Sequence, residues 1–225
     1  MKLQERYEGL IKWFSENMPT AETELHYESP FQLLVAVILS AQCTDKRVNM
    51  VTPALFHDYP TPEVMAEASP EALFEYIKSV TFPNNKAKAL AKAARMIVND
   101  FNGKVPSDFD NLIKIPGVGR KTANVMLAVV FDKAAMPVDT HVFRVSNRIG
   151  LTDNSKTPLE TEKLLSRIFP SICFPKPTIG SSCMDAMCAP HAIPDAGNAA
   201  FPEFAAISKR NKKHNAKLNP ATILT

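Results

Sequence analysis

Two side chains near the middle of the chain have types and settings suited to covalent chemistry. Lys121 stands in the run Ile115-Pro116-Gly117-Val118-Gly119-Arg120-Lys121-Thr122-Ala123-Asn124, and Asp139 stands in Val138-Asp139-Thr140-His141. A lysine in the first turn of a helix sits at the positive end of the macrodipole, where a cation is electrostatically misplaced. That setting raises the share of free amine, the form a nucleophilic lysine needs. Asp139 follows an apolar run and a proline, which predicts that its side chain caps a helix over Thr140 to Arg148. Between them the chemistry lies in the backbone. A hairpin at Gly117-Val118-Gly119 leaves three amides unpaired at a helix N-terminus, where orphan N–H groups and the dipole favour an anion such as phosphate. Such contacts carry no sequence information. Taken singly, these features also fit a plain tight turn and a plain N-cap.

The positioning elements can be read in the same stretch. Pro116 ends the helix that runs up from Asp108, because the residue before a proline is pushed out of the α region. Gly117 and Gly119 then make positive φ available at either position. From Arg120 or Lys121 onward Val125, Met126, Val129 and Val130 recur at helical spacing. Helix, glycine hairpin, helix is the predicted arrangement.

Upstream, residues 5 to 17 carry Leu10, Ile11, Trp13 and Phe14 among charged positions, an amphipathic helix ended by Pro19. Ser29-Pro30 opens the next, since proline is tolerated in a first turn. That helix, Phe31 to Ser40, is apolar on all sides and therefore buried. It delivers Ser40-Ala41-Gln42-Cys43-Thr44-Asp45 to its C-terminal end. Helical faces follow at 48–56, 62–68, 70–80 and 86–99, with Phe82-Pro83-Asn84-Asn85-Lys86-Ala87 connecting the last two. No alternation reads as a strand ladder, so the predicted class is all-α.

Composition sets wider limits. With 225 residues and 45% hydrophobic content the chain suits one large or two small domains. A net charge of +3 permits nucleic acid without demanding it. No apolar run reaches the length of a membrane span, and the first residues lack the apolar core of a signal peptide. A cytosolic protein with four thiols, Cys43, Cys173, Cys183 and Cys188, is expected.

Pro-Gly-Val-Gly-Arg-Lys-Thr-Ala-Asn followed by Val-Asp-Thr-His-Val-Phe-Arg-Val resembles the helix-hairpin-helix DNA glycosylases, and among them the endonuclease III family. The resemblance implies a two-lobed helical fold. A six-helix domain over 24–134 would carry the helix-hairpin-helix at 106–131, and a second lobe would combine 1–23 with 135–172. It implies a base-excision repair enzyme that removes oxidised pyrimidines and cleaves the strand 3′ to the abasic site. Lys121 would be the Schiff-base nucleophile, and Asp139 the carboxylate that stabilises the sugar cation. Related adenine glycosylases lack a lysine at this place.

The family also carries Leu-Ser-Ala-Gln-x-Thr-Asp, in which the glutamine fills the gap left by an extruded nucleotide; Gln42 takes that place. The stretch 82–87 resembles the family's aromatic loop, with Val80-Thr81 where a glycine is usual. Gly117, Val118, Gly119, Arg120, Thr122 and His141 are the remaining DNA contacts implied, with Lys104, Lys114, Arg144 and Arg148 adding basic charge nearby. The expected partner is duplex DNA with damaged pyrimidines or abasic sites, met by a monomer in a bacterial cytoplasm.

The resemblance runs from about residue 3 to residue 171 and stops. The family continues with His-His-Trp-Leu-Ile-Leu-His-Gly-Arg and four cysteines spaced C-x6-C-x2-C-x5-C that hold a [4Fe–4S] cluster. This chain reads Phe174-Pro175-Lys176-Pro177-Thr178-Ile179-Gly180-Ser181-Ser182-Cys183-Met184, then a Pro- and Ala-rich tail. Reading from the third base of each codon after Lys176 is compatible with the family text. Pro177/Thr178 and Thr178/Ile179 permit His-His, Ile179/Gly180 permits Trp, and the single methionine codon makes Met184/Asp185 Gly. Cysteine codons become available across Cys188/Ala189, Asp195/Ala196, Asn198/Ala199 and Phe204/Ala205, which are seven, three and six codons apart and so reproduce the family spacing.

A frameshift between about Ile172 and Lys176 is therefore expected, natural or introduced in sequencing. Residues 173–225 would then be an aberrant, disordered tail, without cofactor in the chain as given but with [4Fe–4S] in the restored frame. Two readings follow. Lys121, Asp139 and Gln42 precede the break, which favours an enzyme. A non-catalytic DNA-binding remnant, inactivated by the shift, is the alternative.

Overall fold

The computed structural model describes residues 3–17, 23–133, 135–152 and 154–168. Among these residues every regular element is a helix, as expected. The chain divides into two compact units, Glu22–Pro137 and Met1–Ala21 with Val138–Thr225. The tail at 173–225 and its three cysteines lie outside the described residues, as does the end of the first helix at Pro19.

Glu22–Pro137 is built around α2 (Pro30–Ser40). Ser29 Oγ accepts from the Gln32 amide at 3.2 Å, and Pro30 starts the helix where its missing N–H costs nothing. Phe31, Leu33, Leu34, Val35, Ala36, Ile38 and Leu39 are all buried. Covering α2 on different sides requires several partners, and α3 (Asp45–Asp58), α6 (Pro83–Phe101) and α8 (Arg120–Val129) provide them. The same Ser/Thr-Pro start recurs in α4 (Pro62–Ala66) and α5 (Pro70–Ile77), capped by Thr61 and Ser69. Both pack on α6, whose buried stripe of Ala87, Leu90, Ala91, Ala93, Ala94 and Ile97 allows close approach through its small side chains.

With the one-turn α7 (Phe109–Leu112) this unit has seven helices among its described residues, one more than the six expected. A second difference concerns the connection at 82–87. It is not a loop of six residues: α6 begins at Pro83, with Phe82 as its left-handed N-cap at φ 54°. Proline at the first helical position makes Pro83-Asn84-Asn85-Lys86 a first turn. Helix α3 likewise starts earlier than 48, because Thr44 Oγ1 accepts from the Arg47 amide.

The other unit contains α1 (Leu3–Asn17), α9 (Thr140–Arg148) and α10 (Pro158–Ile168). Tyr7 and Leu10 bury one face of α1. The Tyr7 hydroxyl donates to the Leu151 carbonyl and Arg6 donates to the Gly150 carbonyl at 2.8 Å, tying α1 to the turn after α9. Between α9 and α10 the Ser155 hydroxyl meets Asn147 Oδ1 at 3.1 Å and Thr161 Oγ1 at 2.6 Å, so these buried polar groups satisfy one another.

Candidate functional site

The hairpin forms between α7 and α8. Asp108 caps α7 by accepting from the Asn111 amide at 2.9 Å, and the chain then tightens through Ile115. The Val118 amide donates to the Ile115 carbonyl at 3.0 Å, closing a turn with Pro116 and Gly117 in its centre. Gly117 has φ +87°, the positive value that a type II turn requires at its third position. A Cβ on Gly117 would lie 3.2 Å from Ala89 Cβ and 3.3 Å from Ile38 Cγ2, so the turn sits directly on α6 and α2.

This geometry corrects the sequence reading at Val118 and shows which glycine uses its freedom. The amide of Val118 is consumed by the turn and its side chain is buried, so Val118 offers no free donor to an anion. Gly119 has φ −97° and ψ 178°, extended backbone open to any residue, and only Gly117 uses positive φ. Nothing lies within 4 Å of a Cβ built on Gly119, so the main chain there is accessible. The Gly117 and Gly119 amides have no protein acceptor among the described residues.

Helix α8 begins directly after Gly119 and places Arg120, Lys121 and Thr122 in its first turn. The Arg120 guanidinium lies 4.6 Å from the centroid of the Phe109 ring, a cation–π contact across the hairpin. Lys121 is exposed, and Thr122 is half-buried. The surroundings of Lys121 include a carboxyl that carried no expected role. Burial holds Asp45 above the usual carboxylate value, Glu24 adds to that, and the Lys121 ammonium pulls in the opposite direction. The Thr-Asp ending of the Gln-containing string was the available signal for Asp45.

Gln42 occupies a second turn, at the C-terminal end of α2. The Cys43 amide donates to the Ser40 carbonyl at 2.9 Å, with Ala41 at φ −56°, ψ 112° and Gln42 at φ 55°. These angles are near type II values, with glutamine in the place that normally takes glycine. Two neighbours hold the turn. Thr81 Oγ1 donates to the Gln42 carbonyl at 2.8 Å. Lys86 Nζ donates to the carbonyls of Leu39 at 2.8 Å and Ala41 at 2.7 Å. Lys86 is almost completely buried, and burial moves its ammonium below the usual lysine range, with Cys43 opposing. The sequence places Lys86 in the stretch that resembles the family's aromatic loop and Thr81 just before it, but their hold on backbone atoms 39 to 47 residues away has no local signal.

Asp139 is the N-cap of α9. Its Oδ1 accepts from the amides of His141 at 2.9 Å and Val142 at 2.8 Å, fixing the carboxylate at the helix's positive end. The His141 amide is therefore engaged, while its side chain is half-exposed. Lys121 and Asp139 belong to different units of the chain. The segment leading to Asp139 is held at Met136, whose carbonyl accepts from the buried Asn124 side chain at 3.0 Å.

The model of the HhH-GPD superfamily base excision DNA repair proteins matches residues 35–171. Endonuclease III of Rickettsia conorii is 50% identical over 159 residues, 71% of this chain and 76% of that protein. The chain belongs to the endonuclease III family. It is an enzyme of base-excision DNA repair in the glycosylase class. Two solved family structures have the same fold. A non-covalent endonuclease III–DNA complex aligns with a TM-score of 0.80 at 35% identity, over 95% of this chain and 100% of that one. A trapped endonuclease III–DNA covalent intermediate, an estranged-adenine complex, aligns with a TM-score of 0.80 at 36% identity, over 94% and 100%.

The family usually carries a [4Fe–4S] cluster, which takes four thiolates. Among the described residues Cys43 is the single cysteine, and no group of three or more His, Cys, Asp or Glu is placed to hold a metal. The described residues do not fit that group. No described helix is long and apolar enough to cross a membrane.

Proposed function

We propose that this enzyme removes oxidised pyrimidines from duplex DNA and then cleaves the strand 3′ to the abasic site through a Schiff base on Lys121. The carrying observation is Lys121 itself, in the first turn of α8 directly behind the Gly117 turn and near enough to Asp45 to oppose that carboxyl's upward shift. The covalent intermediate trapped in a family member supports the same reaction here.

The steps follow from the groups. The damaged base leaves with the glycosidic electrons while positive charge develops on the sugar, and the Asp139 carboxylate stabilises that charge. The Lys121 amine bonds to C1′, the ring C–O bond opens, and an imine results. Loss of a C2′ proton then expels the 3′ phosphate, and water releases the lysine. Gln42 fills the space vacated by the extruded nucleotide, whose unstacking costs a few kcal/mol and is cheapest for a damaged base. Gly117, Gly119, Arg120, Thr122 and His141 hold the backbone of the duplex, giving salt-dependent affinity. The enzyme acts as a cytosolic monomer on the bacterial nucleoid.

Incubation of the purified chain with a duplex containing one oxidised pyrimidine tests this reading. Release of the free base and a strand carrying a 3′ unsaturated aldehyde are expected, both lost in Lys121→Ala. Intact strands from a folded, DNA-binding protein would instead support the second reading, a binding protein without chemistry. The sequence after Ile172 favours that alternative, because it departs from the family text there. We infer a frameshift there, whose repair restores the cluster ligands. Sequencing both strands separates a natural shift from one introduced in sequencing, and iron in the re-framed chain checks the inference; a re-framed chain without iron contradicts it.

A further inference from the structure

The buried lysine at the start of α6 belongs to no step above, and its two acceptors are unusual. The last carbonyls of an α-helix have no helical donor, and a cation is favoured at that end. Lys86 Nζ meets one such carbonyl, Leu39, at 2.8 Å. Its second acceptor, Ala41 at 2.7 Å, lies beyond the helix and belongs to the peptide that joins Ala41 to Gln42. Type I and type II turns differ in the direction of that central peptide, whose reversal changes the third residue from negative to positive φ. A buried ammonium that binds the Ala41 carbonyl therefore selects type II. Thr81 Oγ1 binds the following carbonyl, that of Gln42, at 2.8 Å, so the peptides on both sides of Gln42 are held.

We propose that Lys86 is a positioning residue that sets the central peptide of the Ser40–Cys43 turn and thereby holds Gln42 left-handed, in the orientation from which it enters DNA. The proposal rests on the role of Gln42 given under Proposed function. It also links two left-handed residues, because Thr81 immediately precedes Phe82 at φ 54° and Lys86 lies in the turn that Phe82 caps. Left-handed backbone disfavours glutamine by about 1–2 kcal/mol, so removing the clasp releases the turn to the cheaper form.

The test is a double-mutant cycle on the full chain with Lys86→Met and Gln42→Ala, read as single-turnover base release from an oxidised-pyrimidine duplex and as affinity for a duplex with a stable abasic analogue. Lys86→Met is expected to lose roughly tenfold in each readout when Gln42 is present and nothing further when Gln42 is alanine. An equal loss in both backgrounds, or no loss, overturns the proposal.

A separate readout needs neither DNA nor activity. In a type II turn the Ala41 Hα lies close to the Gln42 amide proton, and in type I the Ala41 and Gln42 amide protons are the close pair. Nuclear Overhauser spectra should show the first pattern in the native chain and the second in Lys86→Met. Persistence of the first pattern in Lys86→Met overturns the proposal even if the native chain is inactive, whereas inactivity with the expected switch overturns only the glycosylase reading.

Discussion

Two four-residue turns, Ile115–Val118 and Ser40–Cys43, have nearly the same backbone shape and opposite origins. The first has Pro116 and Gly117 at its centre, residues that adopt type II angles without strain, and its instructions are local. The second has Ala41, which its angles suit, and Gln42, which φ 55° does not, and it is held by Lys86 and Thr81 from far along the sequence. A turn that must present backbone can be made of glycine. One that must present a long polar side chain cannot, and the surrounding structure supplies the conformational preference that the residue lacks.

Exchanging the central residues breaks this contrast most strongly at Gly117. Gly117→Ala places a side chain at φ +87° against Ala89 and Ile38, with contacts of 3.2 and 3.3 Å. A loss of about 2–3 kcal/mol in denaturant unfolding is expected. The opposite exchange relieves strain. Gln42→Gly, with φ 55° at that position, should stabilise the chain by about 1 kcal/mol while weakening binding to a duplex with an abasic analogue.

Beside the second turn, Asp45 gives a pH-dependent difference. Its folded pKa is raised above 3.8, so its favourable contribution is complete below that value and is lost as pH rises through the folded pKa. Asp45→Asn should therefore gain stability relative to the native chain at pH 7 and not at pH 3, as read from unfolding at each pH. The smallest effect is at Gly119, which has extended φ and open space around its Cβ position. Gly119→Ala should change stability by less than about 0.5 kcal/mol. Any larger change falls on DNA affinity, where the added methyl stands between the main chain and a phosphate.

The same contrast explains what could be read from sequence. The Ser29-Pro30 start and the wholly apolar run after it place α2 at the centre of its unit because capping and burial are local or compositional. Pro116-Gly117 announces its turn for the same reason, and Asp139 announces its cap by standing before a helical pattern. The reading failed where a partner distant in sequence intervened or where a signal was given the wrong register. Val118 is no donor to an anion, because the turn that Pro116-Gly117 announces already directs its amide back to the Ile115 carbonyl. Pro83 belongs to α6 and not to a loop, because proline at a first helical position starts the helix directly after Phe82. Lys86 falls in the stretch that resembles the aromatic loop and at the start of a helical pattern, and neither shows what it binds. Only its burial against two carbonyls distinguishes it. Asp45 stood within a quoted string, yet its relation to Lys121 requires α3 and α8 to be folded together.

The most direct test of the central claim is borohydride trapping of the purified chain on a duplex containing one abasic site, beside Lys121→Ala. A covalent protein–DNA complex in the native chain, absent from a folded Lys121→Ala, is the predicted result. A native chain that is folded and binds this duplex but forms no complex, or a Lys121→Ala variant that forms it equally well, would contradict the assignment of Lys121 as the Schiff-base nucleophile.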